Sequence, residues 1–173
     1  MKALINKAEI YAAQKHGDSF HYYDVHPYRY HLLMTTTFAK KYSHLLPKKD
    51  VPEVIGGCWV HDVIEDARVS FHDVKKHTNG IVAEYSFRLT NEKGRNRKER
   101  ANKKYYDEIK EYKHASFIKL CDRLANIKYS CTKVGESMFE MYKKEHKDFK
   151  LKLYDGRWEE MWAELEKLLN GNI

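Results

Sequence analysis

The 173-residue chain is poor in the residues that break or staple a polypeptide, with eight glycines, three prolines and three cysteines. So few breakers leave long stretches free to coil, and long helices are expected. Cys58, Cys121 and Cys131 are odd in number, far apart and set in helix-like contexts. They suit neither a disulfide framework nor a zinc knuckle, and reduced thiols in a cytoplasmic protein are the expectation. Long apolar runs are missing too. None approaches the ~18–20 residues of a membrane span, so no membrane partner is expected. The first six residues lack the apolar stretch and small-residue cleavage site of a signal peptide. An H-E-x-x-H motif, a glycine-rich phosphate loop and a G-x-S-x-G elbow are all absent, which sets aside the chemistries those motifs carry.

What remains is ordinary globular composition, 42% hydrophobic and 33% charged, in a length sufficient for one domain with a real core. The net charge is +7, and much of the excess lies in Lys93–Lys104 (KGRNRKERANKK). A basic stretch suits a nucleic acid, a polyphosphate nucleotide or a solvated helix face, and composition alone leaves all three open. No repeat, low-complexity segment or linker divides the chain. A single domain over 1–173 is expected, with its core at about 2–130 and packing helices at about 134–169.

Apolar spacing predicts an all-α bundle. Leu4, Ala8, Tyr11 and Ala12 share one face of a helix over 2–16, with Gly17 as its cap. Residues 18–26 read as a polar and aromatic loop. Pro27 suits the first turn of a helix running to about Leu46. Residues 53–64 are apolar nearly all round, the mark of a buried helix. Ser70 and Asp73 begin a short helix to about His77. Residues 81–90 have strand-like composition, but Ile81, Tyr85 and Leu89 fit a helix. Further helices are expected at about 96–110, 115–129, 134–153 and 157–169, with Trp158 and Trp162 in the core or at an interface.

Two of these buried helices carry ionisable groups. In Trp59-Val60-His61-Asp62-Val63-Ile64-Glu65-Asp66, helical spacing puts His61 with Glu65, and Asp62 with Asp66, on roughly one side. Four such groups on an apolar helix are costly unless compensated. No basic side chain lies in 53–67, so a divalent cation is the economical counter-charge. In Phe117–Ile127, Asp122 and Asn126 lie one turn apart on another apolar segment, although Arg123 offers Asp122 a purely structural partner. A mixed His and Asp shell suits manganese, iron, zinc or magnesium. Such an ion acidifies water and polarises a phosphoryl oxygen. Glu65 and Asp66 lie one turn beyond the metal-bearing pair, placed for proton transfer.

At these residues the chain resembles the HD-domain metal-dependent phosphohydrolases, in the RelA/SpoT-like branch that includes the small alarmone hydrolases. Pro27-Tyr28-Arg29-Tyr30-His31 resembles that family's P-Y-x-x-H. His61-Asp62-Val63-Ile64-Glu65-Asp66 resembles its H-D-x-x-E-D, and Lys119-Leu120-Cys121-Asp122-Arg123-Leu124-Ala125-Asn126 its K-L-x-D-R-x-x-N. The resemblance implies an HD-type helical bundle, metal ligands at His31, His61, Asp62 and Asp122, and catalytic carboxylates at Glu65 and Asp66. It implies that Lys119, Arg123 and Asn126 lie near the substrate or support the site, and it implies manganese as the metal. The implied reaction is release of pyrophosphate from the 3′ position of guanosine tetra- or pentaphosphate.

Phe20–Pro27 departs from the pattern, because the family's R-x-S-G stretch before P-Y-x-x-H is replaced by aromatics and histidines. Another nucleotide therefore stays open as substrate, such as a (deoxy)nucleoside phosphate or NADPH, which a related animal branch dephosphorylates. His21 and His26 lead into the His31 helix, where pocket-lining and exposed positions are both open, whereas His16 is expected to pack near the metal helix. His21 and Arg97 are carried as candidate phosphate contacts. A nucleic-acid-binding module with a vestigial centre is the alternative of another class, disfavoured because the ligand set is intact. A homo-oligomer is left open.

Overall fold

The computed structural model describes residues 2–132 and 136–171, and the expected helix start at 134–135 lies outside them. The elements in order are α1 (Lys2–Asp18), β1 (Tyr22–Tyr23), β2 (His26–Pro27), α2 (Arg29–Lys41), α3 (Val51–Val60), α4 (Val63–Asp66), α5 (Phe71–His77), α6 (Gly80–Leu89), α7 (Arg97–Arg100), α8 (Lys103–Glu111), α9 (Ala115–Ser130), α10 (Glu136–Leu153) and α11 (Glu159–Leu169). A 3-10 turn at Ser43–Leu45 follows α2. The only sheet among the described residues is the antiparallel pair β1–β2, with Tyr22 opposite Pro27 and Tyr23 opposite His26. The fold is all-α.

The apolar helix α3 lies at the centre, against α1, α2, α6 and α9. Its side chains Val54, Ile55, Cys58, Trp59 and Val60 join Tyr85, Phe117, Ile118, Leu124 and Trp162 in one core cluster. Burial of such aliphatic and aromatic side chains drives the packing, at roughly 1.5–3 kcal/mol each. Gly57 sets the closeness of approach: a Cβ there would lie 2.6 Å from Ile118 Cδ1 and 2.8 Å from the Tyr85 ring. α10 and α11 pack on α9. Trp162 is core, while Trp158 packs edge-on against Phe117 and donates its indole N–H to Ser116 Oγ at 2.9 Å.

Several boundaries differ from the sequence expectations. Gly17 does not cap α1 but lies inside it. Pro27 belongs to β2, and Tyr28 is the residue preceding α2. The loop before α2 is a hairpin whose two-residue turn places Asp24 at a left-handed φ of 56°, a conformation Asp tolerates better than most residues. The basic stretch is two helices, because Asn102 caps α8 by accepting the Tyr105 N–H. Lastly, His61 and Asp62 do not lie inside a continuous helix but at the junction between α3 and α4.

Candidate metal centre and catalytic pocket

The junction after Val60 is what aims His61 and Asp62. A helix that stops leaves its last carbonyls without N–H partners. Here side chains satisfy two of them: Ser86 Oγ donates to the Val60 carbonyl at 2.7 Å, and His61 Nδ1 donates to the Cys58 carbonyl at 2.8 Å. A carbonyl only accepts, so this bond puts a His61 proton on Nδ1 and leaves the Nε2 lone pair to take either a second proton or a cation.

That lone pair meets three other groups. His31 comes from the first turn of α2, and Asp122 from the middle of α9. His61 Nε2 lies 2.8 Å from Asp62 Oδ2, 3.4 Å from His31 Nε2 and 3.8 Å from Asp122 Oδ1. His31 Nε2 lies 3.3 Å from Asp122 Oδ1 and 3.8 Å from Asp62 Oδ2. Both imidazoles are 1% exposed. Ligands bound at about 2.0–2.2 Å to one ion stand roughly 3 Å apart when adjacent and about 4 Å apart when opposite. All five separations fall in that range, so His31, His61 and Asp122 fit a divalent cation, with Asp62 Oδ2 beside both imidazoles. One side-chain atom from each of His31, His61 and Asp122 lies within 4.8 Å of the other two.

Electrostatics point the same way. Burial works against charge on His61, yet the Asp62 and Asp122 carboxylates outweigh it and hold the imidazole well above its usual pKa. Asp122 is buried, but Lys119 and the two histidines hold its carboxyl well below the ordinary range. The cluster demands positive charge, which either protons or a cation supply.

Neighbouring side chains support the cluster from behind. The Tyr28 hydroxyl donates to Asp62 Oδ2, and its ring is stacked on His16 and His21 at 4.4 and 3.9 Å. Tyr23 stacks on His31 at 4.8 Å and donates its hydroxyl to Asn126 Oδ1 at 2.9 Å. Asn126 in turn donates to both the carbonyl and the carboxylate of Asp122. Lys119 Nζ lies 3.0 Å from Asp122 Oδ2. The basic partner of Asp122 is therefore Lys119, not Arg123, which pairs with Glu145 at 3.4 Å and lies over the Tyr142 and Phe149 rings.

Asp62 and Asp122 line a pocket of about 230 Å³. Glu65, Asp66, Lys119, Asn126, Arg97 and Arg123 line the same pocket, joined by Asn91, Arg100 and Tyr142. Glu65 is fixed by Asn91, whose backbone N–H and side-chain amide donate to its two oxygens at 3.0–3.1 Å. Burial, then the Asp62 and Glu65 carboxylates, push Asp66 up to about 7.

His21 does not line the pocket. It bonds His16 through the two Nδ1 atoms at 3.0 Å and stands 3.9 Å from Asp66. His16 is buried, and burial lowers it to about 4. His26 stacks on Tyr30 in the hairpin.

Sequence reasoning did not single out Tyr23, Tyr28, Asn91 or Tyr142 as site residues. Tyr28 stands within the P-Y-x-x-H block, which is the one signal that could have found it. Beside the pocket, a further cavity of about 260 Å³ is lined by Tyr23, Asp24, Asn126, Tyr129, Met138 and Tyr142. No helix among the described residues is long and apolar enough to cross a membrane.

No protein-family profile and no curated protein sequence matches the chain. Among solved structures it is similar to a metazoan ortholog of SpoT, described as hydrolysing ppGpp and playing a role in starvation responses. The two share 22% sequence identity with a TM-score of 0.75, over 98% of this chain and 96% of that chain. The chain thus shares the all-helical fold of that solved structure.

Proposed function

We propose that the protein is a divalent-metal-dependent phosphohydrolase of nucleotides, with guanosine tetra- or pentaphosphate as substrate and release of the 3′-pyrophosphate as its reaction. The observation that carries this reading is the convergence of His31, His61, Asp62 and Asp122 from three separate parts of the fold onto one buried point. The cationic side chains Arg97, Arg100, Lys119 and Arg123 line the same pocket. The solved relative, itself described as hydrolysing ppGpp, adds weight to this choice of substrate.

His31, His61, Asp62 and Asp122 are the ligands for the cation, taken here as manganese. When bound, the ion supplies Lewis acidity toward the phosphoryl group and acidifies water. Lys119, Arg97, Arg100 and Arg123 bind and orient the phosphate oxygens, acting where negative charge builds up as the P–O bond breaks. Glu65, clamped by Asn91, is oriented to take a proton from the attacking water. Asp66 is the neighbouring carboxyl that moves a proton toward the leaving oxygen. His21 supports the site through its stacking on Tyr28 rather than touching substrate. The cavity walled by Tyr23, Tyr129 and Tyr142 suits the flat face of a nucleobase.

The β1–β2 hairpin favours a second reading of the substrate. Its aromatic and acidic side chains stand where the resembled family has an Arg-bearing loop, and Asp24 accepts the Tyr129 hydroxyl at 2.7 Å. This raises a different nucleoside phosphate or NADPH. Incubating manganese-loaded protein with these nucleotides, and resolving products by anion-exchange chromatography, separates the readings. Guanosine diphosphate plus pyrophosphate from the tetraphosphate supports the first. Phosphate release from NADPH alone supports the second.

A further inference from the structure

A second groove, of about 460 Å³, lies beside the catalytic pocket and is walled by α7 and α10. It contains none of Asp62, Asp122, Glu65 or Asp66, so it is not the hydrolytic centre. Arg97, Lys98, Arg123, Lys144 and Lys152 line it, against only Glu145 and Asp148, and Tyr106 and Phe149 add aromatic surface.

The acids are already committed. Glu145 bridges two arginines, Arg97 Nε at 2.9 Å and Arg123 at 3.4 Å. Asp148 takes Lys152 at 2.7 Å. Among the described residues, no carboxylate pairs with Lys98 or Lys144, and both are exposed. The groove therefore holds three more cations than acids. Like charges drawn together around one concavity repel, and they raise the local concentration of anions. Arg123 lies 4.2 Å from the Phe149 ring centroid and 4.8 Å from that of Tyr142. Such stacking fixes a guanidinium plane and leaves its N–H edge for carboxylate or phosphate oxygens.

We propose that this groove is a second anion site that takes a polyphosphate chain, with Glu145 as a built-in counter-ion that the chain displaces from Arg97 and Arg123. The groove's volume is that of a small-ligand pocket. A nucleic-acid track instead needs cations spaced along a continuous backbone, and these five cluster around one concavity. Arg97 and Arg123 also line the catalytic pocket, which ties occupancy of the groove to the neighbouring site.

The test is calorimetric titration of inorganic tripolyphosphate into the metal-free 173-residue chain, which reads binding without reference to activity. Wild type is expected to bind, and K98E/K144E to bind about tenfold or more weakly, as expected where phosphates are held by such charges. Both lysines are exposed, and circular dichroism checks that the variant is folded. E145Q should bind several-fold more tightly, because no carboxylate has to be displaced. R100Q, which alters only the catalytic pocket, should keep the binding that K98E/K144E removes. The proposal is overturned if K98E/K144E binds tripolyphosphate as wild type does. It is also overturned if R100Q abolishes binding, which would put the anion in the catalytic pocket. Tighter, K98E/K144E-sensitive binding of a 12-nucleotide RNA than of tripolyphosphate would likewise overturn it, in favour of a nucleic-acid surface.

Discussion

Asp62 touches both halves of the chemistry: it faces His61 Nε2 at 2.8 Å, and it borders the pocket that holds Glu65 and Asp66. Asp62→Ala should therefore abolish metal binding and activity together, read by metal analysis and turnover. Glu65 bonds Asn91 rather than the cluster, so Glu65→Ala should abolish turnover while keeping the metal. Loss of metal in that variant would show its role to be wrongly assigned. Tyr28→Phe removes only the hydroxyl that donates to Asp62. Removing a group hydrogen-bonded to a ligand typically weakens metal affinity by about 10–100-fold, and equilibrium titration with manganese measures it. His61 and Asp62 were legible in the sequence because ionisable groups on an apolar helix need a counter-charge. His31 was legible only by resemblance, since one histidine on a helix says little. Tyr23 and Asn91 were not legible. Asn91 meets Glu65 across 26 residues and Tyr23 meets Asn126 across 103, and no local pattern reports such contacts.

Among the elements, α3 illustrates what periodicity gives and what it hides. Its all-round apolar character announced burial, and the structure places it at the centre. The stop at Val60 was not visible, because the residues continue in a helix-compatible pattern through Asp66. What ends the helix is tertiary: the Ser86 hydroxyl from α6 takes the Val60 carbonyl. Ser86→Ala leaves that buried acceptor unpaired and should cost about 1–3 kcal/mol of stability, seen in urea melts. It should also weaken metal binding, because the same junction aims His61 and Asp62. Gly57→Ala forces a methyl against Tyr85 and Ile118. Overpacking of this kind costs about 1–3 kcal/mol, which should outweigh the gain in helix propensity of about 1 kcal/mol. The hairpin before α2 was equally hidden, since two-residue strands leave no periodic trace.

For the whole molecule, one cluster of buried apolar side chains joins the helices from α1 to α11. Removing metal with a chelator should therefore abolish turnover while leaving the far-ultraviolet helical spectrum intact. Restoring manganese should restore activity, and the melting temperature should rise on metal binding, since the ion binds only the folded form. The excess of basic charge read from composition is resolved into places: Arg100 and Lys119 in the pocket that Asp62 and Asp122 line, Lys98, Lys144 and Lys152 in the adjoining groove, and Arg97 and Arg123 in both. Composition could not make that division, because Arg123 and Lys144 come from segments well outside the basic stretch.

The central claim is tested most directly by time-resolved product analysis of manganese-loaded wild type and Asp62→Ala protein with guanosine tetraphosphate, alongside a panel of phosphorylated nucleotides. The account predicts stoichiometric guanosine diphosphate and pyrophosphate from wild type and none from the variant. Metal-replete, folded wild-type protein that turned over no phosphorylated nucleotide would contradict it.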